Sequence, residues 1–263
     1  MKTIKIIVLF SFFLSLLSCE KEIDLDLRSV EPRLVIEGKV IYDSLAMVKI
    51  TKTKDFGDDN NYTPVADAIV SIADATGFSE ILILDASGWY KAQNMRGAVG
   101  QTYSLTVKYE DKEYTAESTL PPMVPIDSIT MFLFPVMDYA LPRVHFKDPL
   151  GNVNDYYRKK LFVNGKYIKA YREATEAEQT DGINIITLIS PNEKELEDEE
   201  IKKGDTISVE LQSIDKGAFT FFDTLGNIDN SMVNPTSNIK GGALGYFSAY
   251  SFDRKEIIAD WKD

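Results

Sequence analysis

Two single residues carry most of the reactive chemistry in this sequence. Cys19 is the only cysteine and His145 the only histidine among 263 residues. A lone cysteine cannot form a disulfide within the chain, and a zinc site built from several histidines is excluded by number. A Ser-His-Asp triad would have to use His145, but residues 143–148 predict a strand in which this histidine is structural. No catalytic centre is indicated, and Cys19 is left as a point of attachment.

Cys19 stands at the end of an apolar segment with a basic start. Residues 6–17 are twelve mostly apolar residues, fewer than the roughly 20 that a spanning helix needs, and the arrangement is typical of a secretory signal. Residues 16–19, Leu-Leu-Ser-Cys, resemble a bacterial lipobox. The resemblance implies cleavage after Ser18 and lipid attachment to Cys19. We therefore predict a lipoprotein signal peptide at 1–18, the alternative being an ordinary secreted protein.

The residues behind the cysteine are charged and mostly acidic. Residues 19–31 include Glu20, Glu22, Asp24 and Asp26, and such a segment is predicted to be a solvated tether. It resembles the acidic export signals of Bacteroidota lipoproteins that are displayed on the cell surface. Several acyl chains on one cysteine give a stable anchor. We predict a lipid-anchored protein of the outer membrane at the cell surface, with the periplasmic leaflet as the alternative.

Composition excludes one class of partner and favours one class of fold. The formal net charge is −12 at pH 7, and loss of residues 1–18 would make it more negative because two lysines leave with them. Such a chain repels phosphate backbones, which excludes nucleic acid as a partner. Thirteen tyrosines and fourteen phenylalanines favour β-structure.

Strand patterns organise the first half of the chain. Residues 101–119 alternate apolar and polar side chains around a polar tip at 110–112, which predicts a hairpin. Residues 33–41 are interpreted as a buried apolar strand broken by Gly38. The order of short strands is similar to Ig-like and transthyretin-like sandwich modules, which are supports and binding platforms. We predict an N-terminal β-sandwich over 32–123.

Three prolines between 120 and 129 interrupt any sheet ladder, and we place a domain boundary near residue 124. The remaining residues, 124–263, are predicted to form a second β-sandwich domain with one short helix. The whole chain is thus expected to be mainly β, with two sandwich domains.

Three local signals shape the second half. Asn164-Gly165 predicts a tight hairpin turn, and residues 215–227 predict a helix capped by Asp215. Residues 172–182 are interpreted as a polar loop. Two separate closing strands are expected at 245–252 and 256–261.

Two further motifs suggest ligands on first inspection. Residues 58–61, Asp-Asp-Asn-Asn, offer oxygen atoms to calcium, but the spacing of an EF-hand is absent and a solvated loop is the better interpretation. Residues 241–245, Gly-Gly-Ala-Leu-Gly, lack the Gly-Lys-Ser ending of a phosphate loop and predict a tight, close-packed turn. We therefore predict neither a metal nor a cofactor.

A short pattern, Asp followed by Ser or Thr and an aliphatic residue, occurs four times. It resembles the O-glycosylation acceptor of exported Bacteroidota proteins, and the alternative is turn chemistry before a strand. The acceptor hydroxyls would be those of Ser44, Ser128, Thr206 and Thr224.

Several segments resemble one family along the whole predicted mature chain. They are residues 19–25, 33–38, 100–103, 120–122 with 126–128, 234–235, 238–239 and, most specifically, 241–247. The family is the Bacteroidota lipoprotein family catalogued as domain of unknown function 4249. The resemblance implies an outer-membrane lipoprotein that accompanies TonB-dependent transporters, and it supplies no catalytic or ligand-binding residues.

These observations lead to a hypothesis of a non-enzymatic, membrane-anchored binding or scaffold protein, accessory to a TonB-dependent transporter or another envelope protein. The alternative is a surface lipoprotein that captures glycans or peptides for uptake and has an exposed aromatic cleft. A hydrolase is the third and weakest hypothesis.

Overall fold

The computed structural model describes residues 31–55, 61–134, 139–151, 154–178, 180–192, 200–228 and 233–261. Cys19, the predicted signal peptide and most of the tether lie outside the described residues, as does most of the proposed calcium loop. Pro32–Thr53 and Asp59–Asp263 form one compact unit, and every element below belongs to it.

Strands dominate the described residues, and one short helix accompanies them, so the mainly β class is confirmed. The elements are β1 (Leu34–Ile41), β2 (Leu45–Lys52), β3 (Ile69–Asp74), β4 (Ser79–Ile81), β5 (Ile83–Leu84), β6 (Tyr90–Arg96), β7 (Thr102–Tyr109), β8 (Lys112–Thr119), β9 (Ile126–Phe134), β10 (Tyr139–Lys147), β11 (Asn154–Val163), β12 (Lys166–Ile168), β13 (Ala174–Glu178), β14 (Asn184–Leu188), β15 (Thr206–Ile214), α1 (Lys216–Gly226) and β16 (Leu244–Ile258).

A nine-stranded sheet runs through the unit in the order β12-β11-β15-β16-β1-β2-β6-β5, and β13 also pairs with β11. One half of its inner face packs against the four-stranded sheet β4-β3-β7-β8 and encloses the first core. The other half packs against the three-stranded sheet β14-β10-β9 and encloses the second core. Burial of these two apolar faces is the main stabilising contribution.

Helix α1 lies on the opposite face of the large sheet. Along β16, Phe247 and Ala249 belong to the first core, whereas Tyr246 and Tyr250 belong to a third cluster together with Phe221 and Phe222 of the helix. This division follows from the two-residue period of a strand. The helix therefore closes a small aromatic core of its own.

Both predicted hairpins and the predicted helix are confirmed. Strands β7 and β8 turn at Glu110 and Asp111, and β11 and β12 turn at Asn164 and Gly165, which have φ of 49° and 81°. Positive φ at both turn positions is what a type I′ turn requires. Asp215 caps α1 by accepting a hydrogen bond from the Ala218 N–H at 2.8 Å.

Asp215 also joins the helix to β8, so its replacement should lower stability strongly. Its Oδ2 accepts the Ser118 hydroxyl at 2.5 Å and the Thr119 N–H at 3.1 Å. Asp215→Ala is expected to lower the free energy of unfolding by about 2–3 kcal/mol, because the helix cap and two further hydrogen bonds are lost together. Denaturant unfolding would measure this. Asp223→Ala in the same helix is the control, and an equal loss in both variants would contradict the account.

Three local interpretations are wrong. Strand β1 runs through Gly38 without a break and alternates buried and half-buried side chains, since it is sandwiched on one face only. Residues 174–178, within the expected polar loop, form β13 at the edge of the large sheet. The two expected closing strands are one strand of 15 residues, β16.

The division of the chain near residue 124 stays a prediction. Leu120 lies in the first core and Val124 in the second, in keeping with a boundary between them. The last strand contributes to both halves, however, because β16 pairs in parallel with β1 and antiparallel with β15. The large sheet is thus continuous across the predicted boundary.

Candidate functional site

A cleft of about 490 Å³ opens beside helix α1, where the edge of the large sheet meets β14. Its volume lies within the range of small-molecule sites. The residues that matter for its chemistry are Lys159, Arg172, Glu176, Thr187, Phe219 and Asp223. We call it the Lys159 cleft.

Lys159 is the unusual member of this group. It occupies an inward position of β11 between Tyr157 and Leu161, both in the second core, and it is only 4% exposed. Its Nζ donates a hydrogen bond to the Thr187 hydroxyl at 2.9 Å. In the described part of the chain, no carboxylate lies within ion-pair distance of this ammonium group.

Burial lowers the pKa of Lys159 to about 8, and desolvation is the cause. A lysine whose charge is buried without a counter-ion destabilises the fold. A perturbed group of this kind in a cleft is a candidate for a functional site. Lys159 is therefore the candidate ligand-binding group of the cleft.

Lys159→Met is expected to stabilise the protein at pH 7, by up to about 3 kcal/mol. Since the folded pKa lies below the ordinary value of 10.5, the unfolded chain binds more protons between about pH 8 and 10.5. The natural protein therefore gains stability across this window, and the advantage of the variant shrinks as pH rises.

Denaturant unfolding at several pH values would measure this difference. Lys112→Met at the exposed start of β8 is the control and should show no such pH dependence. Destabilisation by Lys159→Met at pH 7 would contradict the interpretation, because it would mean that the buried amine is a net stabilising group.

The rim of the cleft carries charges of both signs. Arg172 is exposed just before β13, Glu176 is exposed on β13, and Asp223 projects from α1. Phe219 and Leu188 add apolar surface. The cleft thus combines one buried cation at its floor with a mixed, polar entrance.

A buried ion pair holds the helix next to the cleft. Arg158 lies on the face of β11 opposite to that of Lys159. Its Nε and its Nη2 each lie 2.7 Å from Glu173 Oε2. The Tyr167 hydroxyl donates to the other oxygen of Glu173. The guanidinium of Arg158 stacks 3.7 Å from the ring centroid of Phe222 on α1. This cluster fixes β11, β13 and α1, the elements that form the cleft.

The four predicted glycosylation acceptors occur in different settings. Ser128 is exposed on β9, Ser44 is half-buried in the turn between β1 and β2, and Thr206 is half-buried at the start of β15. Thr224 lies inside α1, where its hydroxyl donates to the carbonyl of Thr220 at 2.7 Å. The turn interpretation therefore fails for Thr224. Modification of any of them stays a prediction, for which Ser128 is the most accessible residue, and an intact mass from the native host is the test.

His145 lies on β10, where its Nε2 and the Thr130 hydroxyl are 2.9 Å apart.

Among the described residues, no group of three His, Cys, Asp or Glu side chains is placed to hold a metal ion. The described residues also contain no helix with the length and apolar character needed to cross a membrane.

Sequence reasoning missed the Lys159 cleft. The run from Tyr156 to Val163 places a lysine on each face of the strand, at 159 and at 160. Alternation with Tyr157 and Leu161 was the available signal that Lys159 points inward. Thr187, its partner, is 28 residues away in the sequence and could not be assigned to it.

Comparison with known proteins gives one finding. No curated protein matches the chain in sequence. A family model described as "Domain of unknown function (DUF4249)" matches residues 20–256, which is most of the chain and includes the residues that line the cleft. The chain therefore belongs to this family.

Proposed function

We propose that this protein is a lipoprotein of the bacterial outer membrane that captures a small ligand without transforming it. The observation that carries the binding role is the Lys159 cleft, in which a buried ammonium group faces a ligand-sized space and lacks a counter-ion among the described residues. Of the two binding roles that the sequence leaves open, the cleft favours ligand capture over scaffolding.

The anchor rests on the lipobox at residues 16–19 and on the family match. The matched region begins at residue 20, directly behind Cys19, which supports a mature chain that starts at the cysteine. Residues 19–31 span at most about 45 Å when fully extended. A lipid on Cys19 would thus hold residue 32 within about 45 Å of the membrane surface.

A second candidate role, as a scaffold that contacts a TonB-dependent transporter, is favoured by a different surface. The outward face of the large sheet beside α1 carries aromatic side chains stacked with cations. The guanidinium carbon of Arg254 lies 4.3 Å from the ring centroid of Phe162, and Lys39 Nζ lies 5.0 Å from that of Trp89. Phe252 is 37% exposed. Aromatic residues and arginine are enriched in protein interfaces.

Comparison of the natural protein with Cys19→Ala in the native host tests the anchor. We expect the natural protein to fractionate with outer membranes and to have the mass of residues 19–263 plus acyl chains. The variant should lack the acyl mass. An unmodified Cys19 in the natural protein would overturn the lipoprotein proposal.

Cross-linking in the same membranes tests the scaffold role. Co-purification of a transporter that is lost in Trp89→Ala and Phe252→Ala, but kept in Lys159→Met, would favour scaffolding over capture. Co-purification that is lost in Lys159→Met, but kept in Trp89→Ala and Phe252→Ala, would favour delivery of a captured ligand to the transporter.

A further inference from the structure

We infer that the Lys159 cleft binds the carboxylate of a small organic acid, which is held by the ammonium group of Lys159 beside the hydroxyl of Thr187. This inference rests on the proposed ligand capture and names its ligand class. It goes beyond that role because it requires a negative charge at one end of the ligand.

The first step concerns the donors of Lys159. An ammonium group has three N–H donors, and the described contacts of Nζ are a single hydrogen bond to a neutral hydroxyl, Thr187 Oγ1, at 2.9 Å. Hydrogen bonds between an ammonium and an anionic oxygen are about twice as strong as neutral ones. An anion that entered the cleft would satisfy the remaining donors and compensate the buried charge.

The second step concerns the charge that the cleft tolerates. Glu176 and Asp223 line the same space as Lys159 and Arg172, and the chain as a whole carries a formal net charge of −12. A phosphate dianion or a polyanionic glycan would be repelled by these carboxylates. The charges of these four side chains cancel, so a monoanion adds only one negative charge and can pair with the ammonium group of Lys159.

The third step concerns the rest of the ligand. The cleft has about 490 Å³ of space, and Phe219, Ala174 and Leu188 contribute apolar surface to its lining. A hydrocarbon portion of a few carbon atoms or one aromatic ring matches such walls. A neutral sugar would leave the ammonium group without a counter-ion.

Calorimetric titration of the detergent-solubilised full chain tests the inference. The probes are hexanoate and benzoate, with hexanol, inorganic phosphate and a neutral disaccharide as comparisons. We expect the carboxylates to bind with a Kd below about 1 mM. Lys159→Met should weaken this binding by about 10- to 100-fold, whereas Lys160→Met, the adjacent lysine on the opposite face of β11, should leave it unchanged.

The pH dependence of binding provides a readout that a general loss of structure would not give. The titratable groups that line the cleft beside Lys159 are Tyr171, Arg172, Glu176 and Asp223. Carboxylate affinity should fall about tenfold per pH unit above the pKa of Lys159, and Asp223→Asn should keep this slope.

Three outcomes would overturn the inference: no saturable binding of either carboxylate, equal binding by Lys159→Met, or equal binding of hexanol and hexanoate. Binding of phosphate or the disaccharide in place of the carboxylates, lost in Lys159→Met, would keep ligand capture but overturn the ligand class. Failure of the membrane fractionation test would affect the anchor alone.

Discussion

Gly245→Ala is expected to lower the free energy of unfolding by more than about 4 kcal/mol, a loss seen only for a few mechanisms such as backbone overlap. A methyl group at this position would lie 2.0 Å from the carbonyl oxygen of Ile36. These residues are direct partners in the parallel pair of β1 and β16. The two strands would have to separate at the seam that joins both halves of the large sheet.

Gly242→Ala is the matched control for this substitution. Gly242 and Gly245 both have positive φ, 91° and 99°, but a methyl group at 242 meets no atom within 4 Å. We expect a loss of about 1–2 kcal/mol from backbone strain alone. Denaturant unfolding followed by circular dichroism compares the two variants. Equal losses would show that the close approach of β1 and β16 is unimportant.

The second large effect is expected at the ion pair of Arg158 and Glu173. Their side chains are only 15% and 11% exposed, and Glu173 also accepts the Tyr167 hydroxyl. Glu173→Leu would leave a buried guanidinium without its counter-ion, and we expect a loss of about 3–5 kcal/mol. Because the pair holds β11, β13 and α1 together, the variant should also bind ligand weakly in the Lys159 cleft.

A double replacement separates the pair from its surroundings. Arg158→Met combined with Glu173→Leu removes both charges and should recover most of the lost stability, since apolar side chains tolerate this burial. The exposed pair of Lys108 and Glu113, with side chains 60% and 55% exposed, serves as the comparison. Its removal should change stability by less than about 1 kcal/mol. Simple additivity of the two buried replacements would contradict the account.

The parts of the fold that the sequence predicts well are those specified by neighbouring residues. Asn164-Gly165 and Asp215 each act within a few residues, through turn geometry and a helix cap, and both predictions are confirmed. Residues 241–245 predict a close-packed turn, and this is confirmed for Gly241 and Gly242, which have φ of 97° and 91°; a methyl group on Gly241 would lie 2.5 Å from the carbonyl oxygen of Glu113. Leu244 and Gly245 already belong to β16.

The parts that failed depend on pairing between distant segments. Residues 174–178 are mostly polar and predict a loop, because β13 lies at the edge of the sheet and, among the described strands, pairs with β11 alone. The parallel pairing of β1 with β16 joins residues about 200 positions apart, and no local pattern specifies it. Gly38 does not interrupt β1, since its missing side chain makes room for the ring of Phe247.

The functional residues divide in the same way. Residues 16–19 resemble a lipobox and are contiguous, so the sequence alone predicts lipid attachment at Cys19, which lies outside the described residues. The Lys159 cleft needs β11, β13, β14 and α1 to meet, so only a structure reveals it. An aromatic cleft was expected for ligand capture, whereas the observed cleft depends on a buried cation.

The pKa of Lys159 is the most direct test of the central claim, that this buried amine is held ready for an anionic ligand. It can be measured by NMR titration of the full chain with labelled lysine side chains, assigned by comparison with Lys159→Met. We predict a pKa near 8 in the free protein and a higher value with hexanoate, because the bound carboxylate stabilises the charged amine. A pKa near the ordinary value of 10.5 that does not change with hexanoate would contradict the account.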